Sequence, residues 1–329
     1  MSDSGVRFGY TLMTEQSGPR ELVSYAVGAE AAGFDLLVSS DHYFPWLKEM
    51  GHAPYAWSVL GAVAQATDRV EFMTYVTCPT FRYHPAVVAQ KAATLGLLSG
   101  NRFTLGLGSG ENLNEHVVGK QWPVARVRQE MLMEALQIIR ALHTGDQLSW
   151  TGEHFQVESA KVWDLPEQPV RIGVAVSGDS SVEKFAPLAD DLVAVEPDGD
   201  LVSTWDRVRR DGGQDTGRKI GQLPICWGPD KAAAVERARE LFRWFGGGWA
   251  VNADLPTPVA FDAASQFVRP DDIAGSIACG PDLDELAESF RPYLEAGFTD
   301  VALVQVGDER QEEFLSGVAP ELLRKLHNL

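Results

Sequence analysis

The chain has 329 residues, 45% of them apolar and 22% charged, which excludes a disordered or low-complexity polymer and suits one large globular unit. Lys and Arg number 28 against 46 Asp and Glu, a formal charge of −18. That balance argues against a nucleic-acid partner or an anionic membrane surface, because both reward clustered cations. It also disfavours a polyanionic substrate unless a local basic pocket exists.

Short β-type runs alternate with longer amphipathic stretches from one end to the other. Strands are predicted over residues 7–12, 36–40, 71–77, 102–108, 171–177, 192–196, 222–227 and 301–306. Most are unbroken apolar runs, the pattern of a parallel sheet covered on both faces. Helical periodicity fills 19–32, 85–98, 125–143, 180–188, 201–210, 231–244 and 282–296, and 309–326 closes the chain. This alternation predicts an α/β fold, a (β/α)8 TIM barrel in a single domain spanning 1–329. The competing arrangement is a doubly wound open sheet. Its dinucleotide-binding form is disfavoured, because no Gly-x-Gly-x-x-Gly turn follows the first strand. Residues 144–163 read as an inserted hairpin turning at Thr151-Gly152-Glu153. Residues 245–273, rich in Gly, Pro and small side chains, read as a second loop insertion and a candidate lid.

Cys78, Cys226 and Cys279 are far apart in the chain and lack metal-ligand spacing. They read as small buried hydrophobes in a reducing cytoplasm, and no metal is expected. The first residues carry no apolar signal region, and no run approaches the ~18 apolar residues of a membrane span. A cytoplasmic protein with no membrane partner is expected.

Barrel enzymes carry their reactive groups just past the C-terminal ends of the strands. Three predicted strand ends are chemically loaded: Ser39-Ser40-Asp41-His42-Tyr43-Phe44-Pro45-Trp46, then Tyr75 to Pro85, then Gly106 to Glu115. His42 beside Asp41 can accept a proton near neutral pH, with Trp46 as a wall for a planar ring; its other reading is a loop-start imidazole satisfied by backbone. Gly108-Ser109-Gly110-Glu111 lets backbone approach a ligand, and burial would raise the pKa of Glu111 so that it donates a proton. The same residues also fit a tight turn with an acidic first helical residue. Ser177-Gly178-Asp179-Ser180-Ser181 runs into a helix and could seat a phosphate on free N–H groups. Alternatively, Asp179 simply caps that helix. The remaining histidines, His84 included, read as structural.

Taken together, Ser40-Asp41-His42, Pro45-Trp46, Pro79-Thr80-Phe81-Arg82-Tyr83-His84-Pro85 and Gly108-Ser109-Gly110-Glu111-Asn112-Leu113-Asn114-Glu115 resemble the luciferase-like class of coenzyme F420-dependent oxidoreductases. The closest likeness is to the branch containing the F420-dependent glucose-6-phosphate dehydrogenases. The resemblance implies a barrel, usually a homodimer, with the deazaflavin ring in its mouth. It implies that His42 exchanges a proton with the substrate hydroxyl, that Glu111 donates a proton toward the ring, and that Trp46 holds the intermediate. By the same likeness Asp41, Ser109, Gly110 and Asn114 touch the cofactor. Tyr75-Val76 would form a non-proline cis peptide behind the ring, and Ser177, Gly178, Asp179, Ser180, Ser181 and Val182 would seat its phosphate.

Two departures from the family pattern shape the substrate expectation. The stretch from Ala189 to Asp200, read as the loop after the sixth strand, holds five acids and no base, and the family's phosphate-gripping arginine is matched by Ser276. A buried dianion without cation partners is costly, so a substrate without a phosphate is expected. Asp179 stands where the family has Gly or Pro, with Lys184 one helical turn on as partial compensation. Two rival readings remain: an FMN-dependent monooxygenase of the same barrel class, and a catalytically silent ligand-binding barrel.

Overall fold

The computed structural model describes residues 5–329. Eleven strands form in chain order: β1 (Arg7–Leu12), β2 (Leu36–Ser39), β3 (Glu71–Thr74), β4 (Phe103–Leu107), β5 (Leu148–Thr151), β6 (Gln156–Ala160), β7 (Arg171–Ala175), β8 (Asp191–Val193), β9 (Lys219–Trp227), β10 (Ala278–Gly280) and β11 (Asp300–Gln305). Eight of them run parallel in the order β9-β11-β1-β2-β3-β4-β7-β8, and β8 pairs back to β9, closing the expected barrel. Leu36, Val38, Met73, Val193, Ile220 and Ala302 fill its interior. A second, larger apolar layer packs the outer strand faces against the helices. This two-sided burial is why the strands read as continuous apolar runs.

At the N-terminal end of the barrel the strands begin with charges that neutralise one another. Arg7 pairs with Asp300 and Glu71, Arg218 joins Glu71 to Asp191, and Arg171 also holds Asp191. This corrects the acidic stretch. Asp190 and Asp191 stand at the start of β8, at the end opposite the active-site rim, bound to Arg140 and to Arg171 and Arg218. Asp198 caps the helix Gly199–Asp211 by accepting from the backbone N–H groups of Asp200 and Leu201. Glu196 and Asp200 alone remain as uncommitted acids of that loop.

Other boundaries moved for local reasons. The helix Ala56–Ala66 was not foreseen, because its start has no side-chain cap and its sequence is dominated by small residues. The expected helix at 282–296 breaks into Leu283–Glu288 and Arg291–Glu295, where Pro292 cannot donate to the preceding turn. Likewise 309–326 opens through a wide π turn at Phe314–Val318 just before Pro320.

The 144–163 hairpin forms as β5 and β6, antiparallel. The 245–273 stretch is helical rather than irregular, with short helices Trp249–Asn252, Pro258–Ser265 and Pro270–Ala274. It returns through β10, which adds to the C-terminal half of β9. No helix among the described residues is long and apolar enough to cross a membrane.

Candidate active site

Three strand ends converge on His42. From the loop after β1, Glu15 places Oε1 2.8 Å from His42 Nδ1; from the turn after β4, Glu111 places Oε1 3.0 Å from Nε2. The Glu15 side chain is 1% exposed, that of His42 9% and that of Glu111 14%. Glu15 is held in turn by the hydroxyls of Ser40 and Thr14, which donate to its Oε2.

These contacts act on the proton of His42. Burial alone would pull the His42 pKa down, but the charge of Glu15 beside Nδ1 and the Glu111 carboxylate at Nε2 overcome it and push it up to about 10. Glu111 moves the other way. Burial raises it, but the bond from His42, its charge and the Asn114 amide bring it below the ordinary carboxylate value. Glu15 is lowered for the same reason. Both directions favour a protonated His42 beside a Glu111 carboxylate.

Asn114 connects two of the converging loops. Its Oδ1 accepts from the backbone N–H of Tyr43 at 2.7 Å and of Phe44 at 3.1 Å, while Nδ2 donates to Glu111 at 2.6 Å. It is 1% exposed, so it braces the loops from inside. Asp41, 2% exposed, is likewise committed to protein. Its carboxylate accepts from Trp57 Nε1 (3.0 Å), Thr77 Oγ1 (2.7 Å) and Tyr83 OH (3.0 Å), with Arg82 alongside at 3.5 Å. Arg82 also pairs with buried Glu115 at 2.9 Å, joining the Pro79–Pro85 stretch to the Glu111 turn.

Below this cluster lies an apolar floor. The Tyr75-Val76 peptide is cis, as the resemblance implied. Tyr75 reaches from the end of β3 to donate its hydroxyl to the Ala194 carbonyl beyond β8, at 3.0 Å. Tyr75, Val76 and Ala175 are half-buried and rest on the barrel's inner plug. The close fit requires glycine: a Cβ on Gly108 would fall 2.4 Å from Val76 Cγ2, and one on Gly106 1.9 Å from the Thr74 carbonyl oxygen. Gly110 takes φ +76, which favours glycine, and turns the chain so that Glu111 faces His42.

The wall is aromatic. Trp46 meets His42 edge-on at 4.8 Å, stacks on Trp244 at 4.2 Å and 13°, and takes Phe261 edge-on at 5.0 Å. Trp244 and Phe261 belong to the inserted segment after the helix Lys231–Phe242. That segment also bonds the Glu111 turn, since Asn112 N–H donates to Ala253 at 2.9 Å and Asn112 Nδ2 to Asp254 at 3.0 Å.

The Ser177–Val182 turn lies past β7 and closes on itself: Ser181 Oγ accepts from Ser177 N–H and donates to the Gly178 carbonyl. Gly178, not Asp179, is the cap residue, and no side chain caps this helix. A Cβ on Gly178 would meet nothing within 4 Å, so the turn opens to space, with Asp179 and Ser180 exposed. Lys184, considered as compensation for Asp179, donates instead to Gln129 at 2.6 Å. Ser109 is half-buried beside the floor.

Glu15 is the functional side chain that sequence reasoning missed. The signal was available, since Glu15 follows β1 by the same rim rule that picked out the other three strand ends. The remaining histidines with structural roles bond to backbone: His84 caps Pro85–Leu98, and His116, His143 and His327 face carbonyls.

A closed parallel barrel thus carries a carboxylate–imidazole–carboxylate chain at its C-terminal rim, with an apolar floor and an aromatic wall. The chain belongs to the luciferase-like monooxygenase family, whose model matches residues 6–300. It is similar to proteins named F420-dependent glucose-6-phosphate dehydrogenase from Amycolatopsis mediterranei and Kribbella flavida. Each is 35% identical over 98% of this chain and 99% of the relative. Among solved structures it is similar to an F420-dependent secondary alcohol dehydrogenase in complex with an F420-acetone adduct. That similarity has a TM-score of 0.89 and 26% identity, over 98% of this chain and 99% of that one.

Proposed function

We propose that this protein is a coenzyme F420-dependent oxidoreductase that moves a hydride between the deazaflavin and a small substrate without a phosphate group. An alcohol–carbonyl pair is the first choice, with imines and activated double bonds as related cases. The observation that carries this reading is the Glu15–His42–Glu111 chain standing over the floor of Tyr75, Val76 and Ala175. A flat, weakly polar ring fits such a floor, because glycine at 106 and 108 removes every Cβ that would push Val76 or Thr74 away. Ser109 and Gly110 would lie along the ring, and the open Ser177–Val182 turn would receive the cofactor phosphate. When bound, the deazaflavin supplies obligate hydride exchange, leaving the protein to orient the reactants and handle protons.

His42 is the acid and base toward the substrate oxygen. With its proton held at neutral pH, it is ready to protonate a carbonyl oxygen as that carbonyl is reduced. Oxidation of an alcohol requires His42 to pass its proton to Glu111 first. Trp46 orients the substrate. Asp41 and Asn114 are positioning residues, acting through Thr77 and Tyr83 and through Glu111.

Charge supports the absence of a phosphate. Residues 243–277 contain two cations, Arg243 and Arg269. Arg243 is taken by Asp262 and Glu49, and Arg269 by Asp272. Ser276 spends its hydroxyl on the carbonyls of Asp272 and Ile273. This choice differs from the substrate in the names of the curated relatives. The reading further takes the chain as one cytoplasmic domain that dimerises; exposed Val27 and Val87, on the helices Pro19–Ala32 and Pro85–Leu98, and Tyr55, at the start of Ala56–Ala66, supply apolar surface for the dimer.

Absorbance titration with oxidised and reduced deazaflavin, followed by assays with secondary alcohols, ketones and glucose 6-phosphate in parallel, tests the proposal. Binding of the cofactor and turnover of a neutral substrate are expected. Failure of both cofactor forms to bind ends the reading, oxygen uptake with reduced FMN replaces it with a monooxygenase, and turnover of glucose 6-phosphate alone overturns the substrate class. Light scattering on the eluted protein tests the dimer.

A further inference from the structure

Cys226 and Cys279, 52 residues apart in the intervening sequence, are direct partners in the parallel pairing of β9 with β10. Neighbouring strands lie ~4.8 Å apart, within the Cα separation that a disulfide spans. The Cys226 thiol donates to the Val306 carbonyl at 3.7 Å and the Cys279 thiol to the Ile277 carbonyl at 3.2 Å. Both residues are buried, and both belong to the apolar cluster that contains Trp46, Phe242 and Phe261. Arg237 places Nη1 3.7 Å from the Cys226 sulfur.

The pair is chemically unequal. The neighbouring Cys279 and the Arg237 charge favour the Cys226 thiolate, against burial. The neighbouring Cys226 and burial push the Cys279 thiol up. With the guanidinium beside it, Cys226 is the nucleophile and Cys279 the thiol that resolves its product. A metal does not suit the place: no group of three or more ligand-type side chains occurs among the described residues, and a guanidinium faces the thiols. Cys78 serves as an internal contrast, since it bonds Thr80, and burial and Glu115 push its thiol well up.

We propose that Cys226 and Cys279 are a modification site, a dithiol that a hydroperoxide converts reversibly to a disulfide. The Cys226 thiolate attacks one oxygen of hydrogen peroxide, the O–O bond breaks, and the departing oxygen takes a proton and, with its own hydrogen, leaves as water. Cys226 is then a sulfenic acid. The Cys279 sulfur attacks that sulfur, the S–O bond breaks, and the Cys279 proton leaves with the hydroxyl as a second water. Two thiols have lost two electrons, and one peroxide has become two waters.

The bond closes a loop that holds the whole segment carrying Trp244 and Phe261. It fastens to β9 a strand that otherwise holds by three residues of pairing. Oxidation therefore anchors the far end of the insertion that packs on Trp46. This inference stands whether or not the deazaflavin reading does.

The test exposes the full chain to stoichiometric hydrogen peroxide and measures intact mass, alkylated peptides and thermal unfolding. The expected result is loss of two hydrogen masses, a peptide pair linked through Cys226 and Cys279, Cys78 still alkylatable, and a midpoint raised by about 5 °C. Dithiothreitol should reverse all of it, and C226S or C279S should form no internal link. Three free thiols after treatment, a gain of two oxygens on Cys226 without a link, or a link that includes Cys78 would each overturn the proposal. The wild-type mass measurement needs no variant to fold.

Discussion

The Glu15 carboxylate lies 2.8 Å from Nδ1 of His42, on the side of the ring away from Glu111. It donates no group to the mouth of the barrel. Its charge favours the protonated form of an imidazole that burial alone would push toward neutral.

Replacing Glu15 by Gln removes that charge and keeps the shape. The His42 pKa should fall by about one unit or more, seen by NMR titration of the imidazole. The alkaline limb of the pH–rate profile should move down with it. An unchanged His42 titration would show that Glu111 alone sets the proton.

Stability should follow the same groups. The folded-state pKa of His42, about 10, lies above its ordinary 6.5. Its contribution is therefore complete below 6.5 and lost as the pH rises through 10. Glu15 and Glu111 are depressed below 4.5; their contribution is present above 4.5 and lost as the pH falls through their folded values. Urea midpoints should form a plateau between these limits, and His42→Gln should flatten the alkaline fall.

Asn114→Ala removes the acceptor of two backbone N–H groups and a donor to Glu111. It should cost about 2 kcal/mol in denaturant unfolding. It should also lower kcat more than the affinity for the cofactor, because Glu111 loses its tether.

A glycine pair separates fit from flexibility. Gly106→Ala drives a Cβ into the Thr74 carbonyl, and a loss of about 3 kcal/mol or of soluble protein is expected. At Gly178 the space is open and the backbone extended, with φ 175. There Ala should leave the unfolding midpoint within about 0.5 kcal/mol.

Asp191→Ala probes the other end of the barrel. It strands Arg171 and Arg218 around an empty place and should cost about 3–5 kcal/mol. The folded fraction should keep its activity, since Asp191 stands at the start of β8 and the chemistry at the strand ends. Lost turnover at full stability would contradict the division.

The barrel was legible because two-sided burial writes itself into the sequence as apolar runs. His42, Trp46 and Glu111 were legible because they stand in dense motifs just past strands. Glu15 was hidden among ordinary polar residues of a short loop, and its partner is 27 positions away. The ionisation of Glu111 could not be read at all, because burial and the imidazolium act in opposite directions and only distance decides between them. The acids at 190 and 191 were misplaced by the same limit: a strand predicted to begin one residue late turned the foot of β8 into a loop. β10 is three residues long, too short for any periodicity to register.

Trp244 and Phe261 approach Trp46 from a segment that shares no residue with the Glu15–His42–Glu111 chain. The aromatic wall and the imidazole–carboxylate chain are thus written in separate stretches of sequence. Exchanging residues 243–277 for the corresponding stretch of another barrel should retune which molecules are admitted, and it keeps Glu111 in place only where the new stretch again offers Asn112 the two carbonyls that Ala253 and Asp254 supply here.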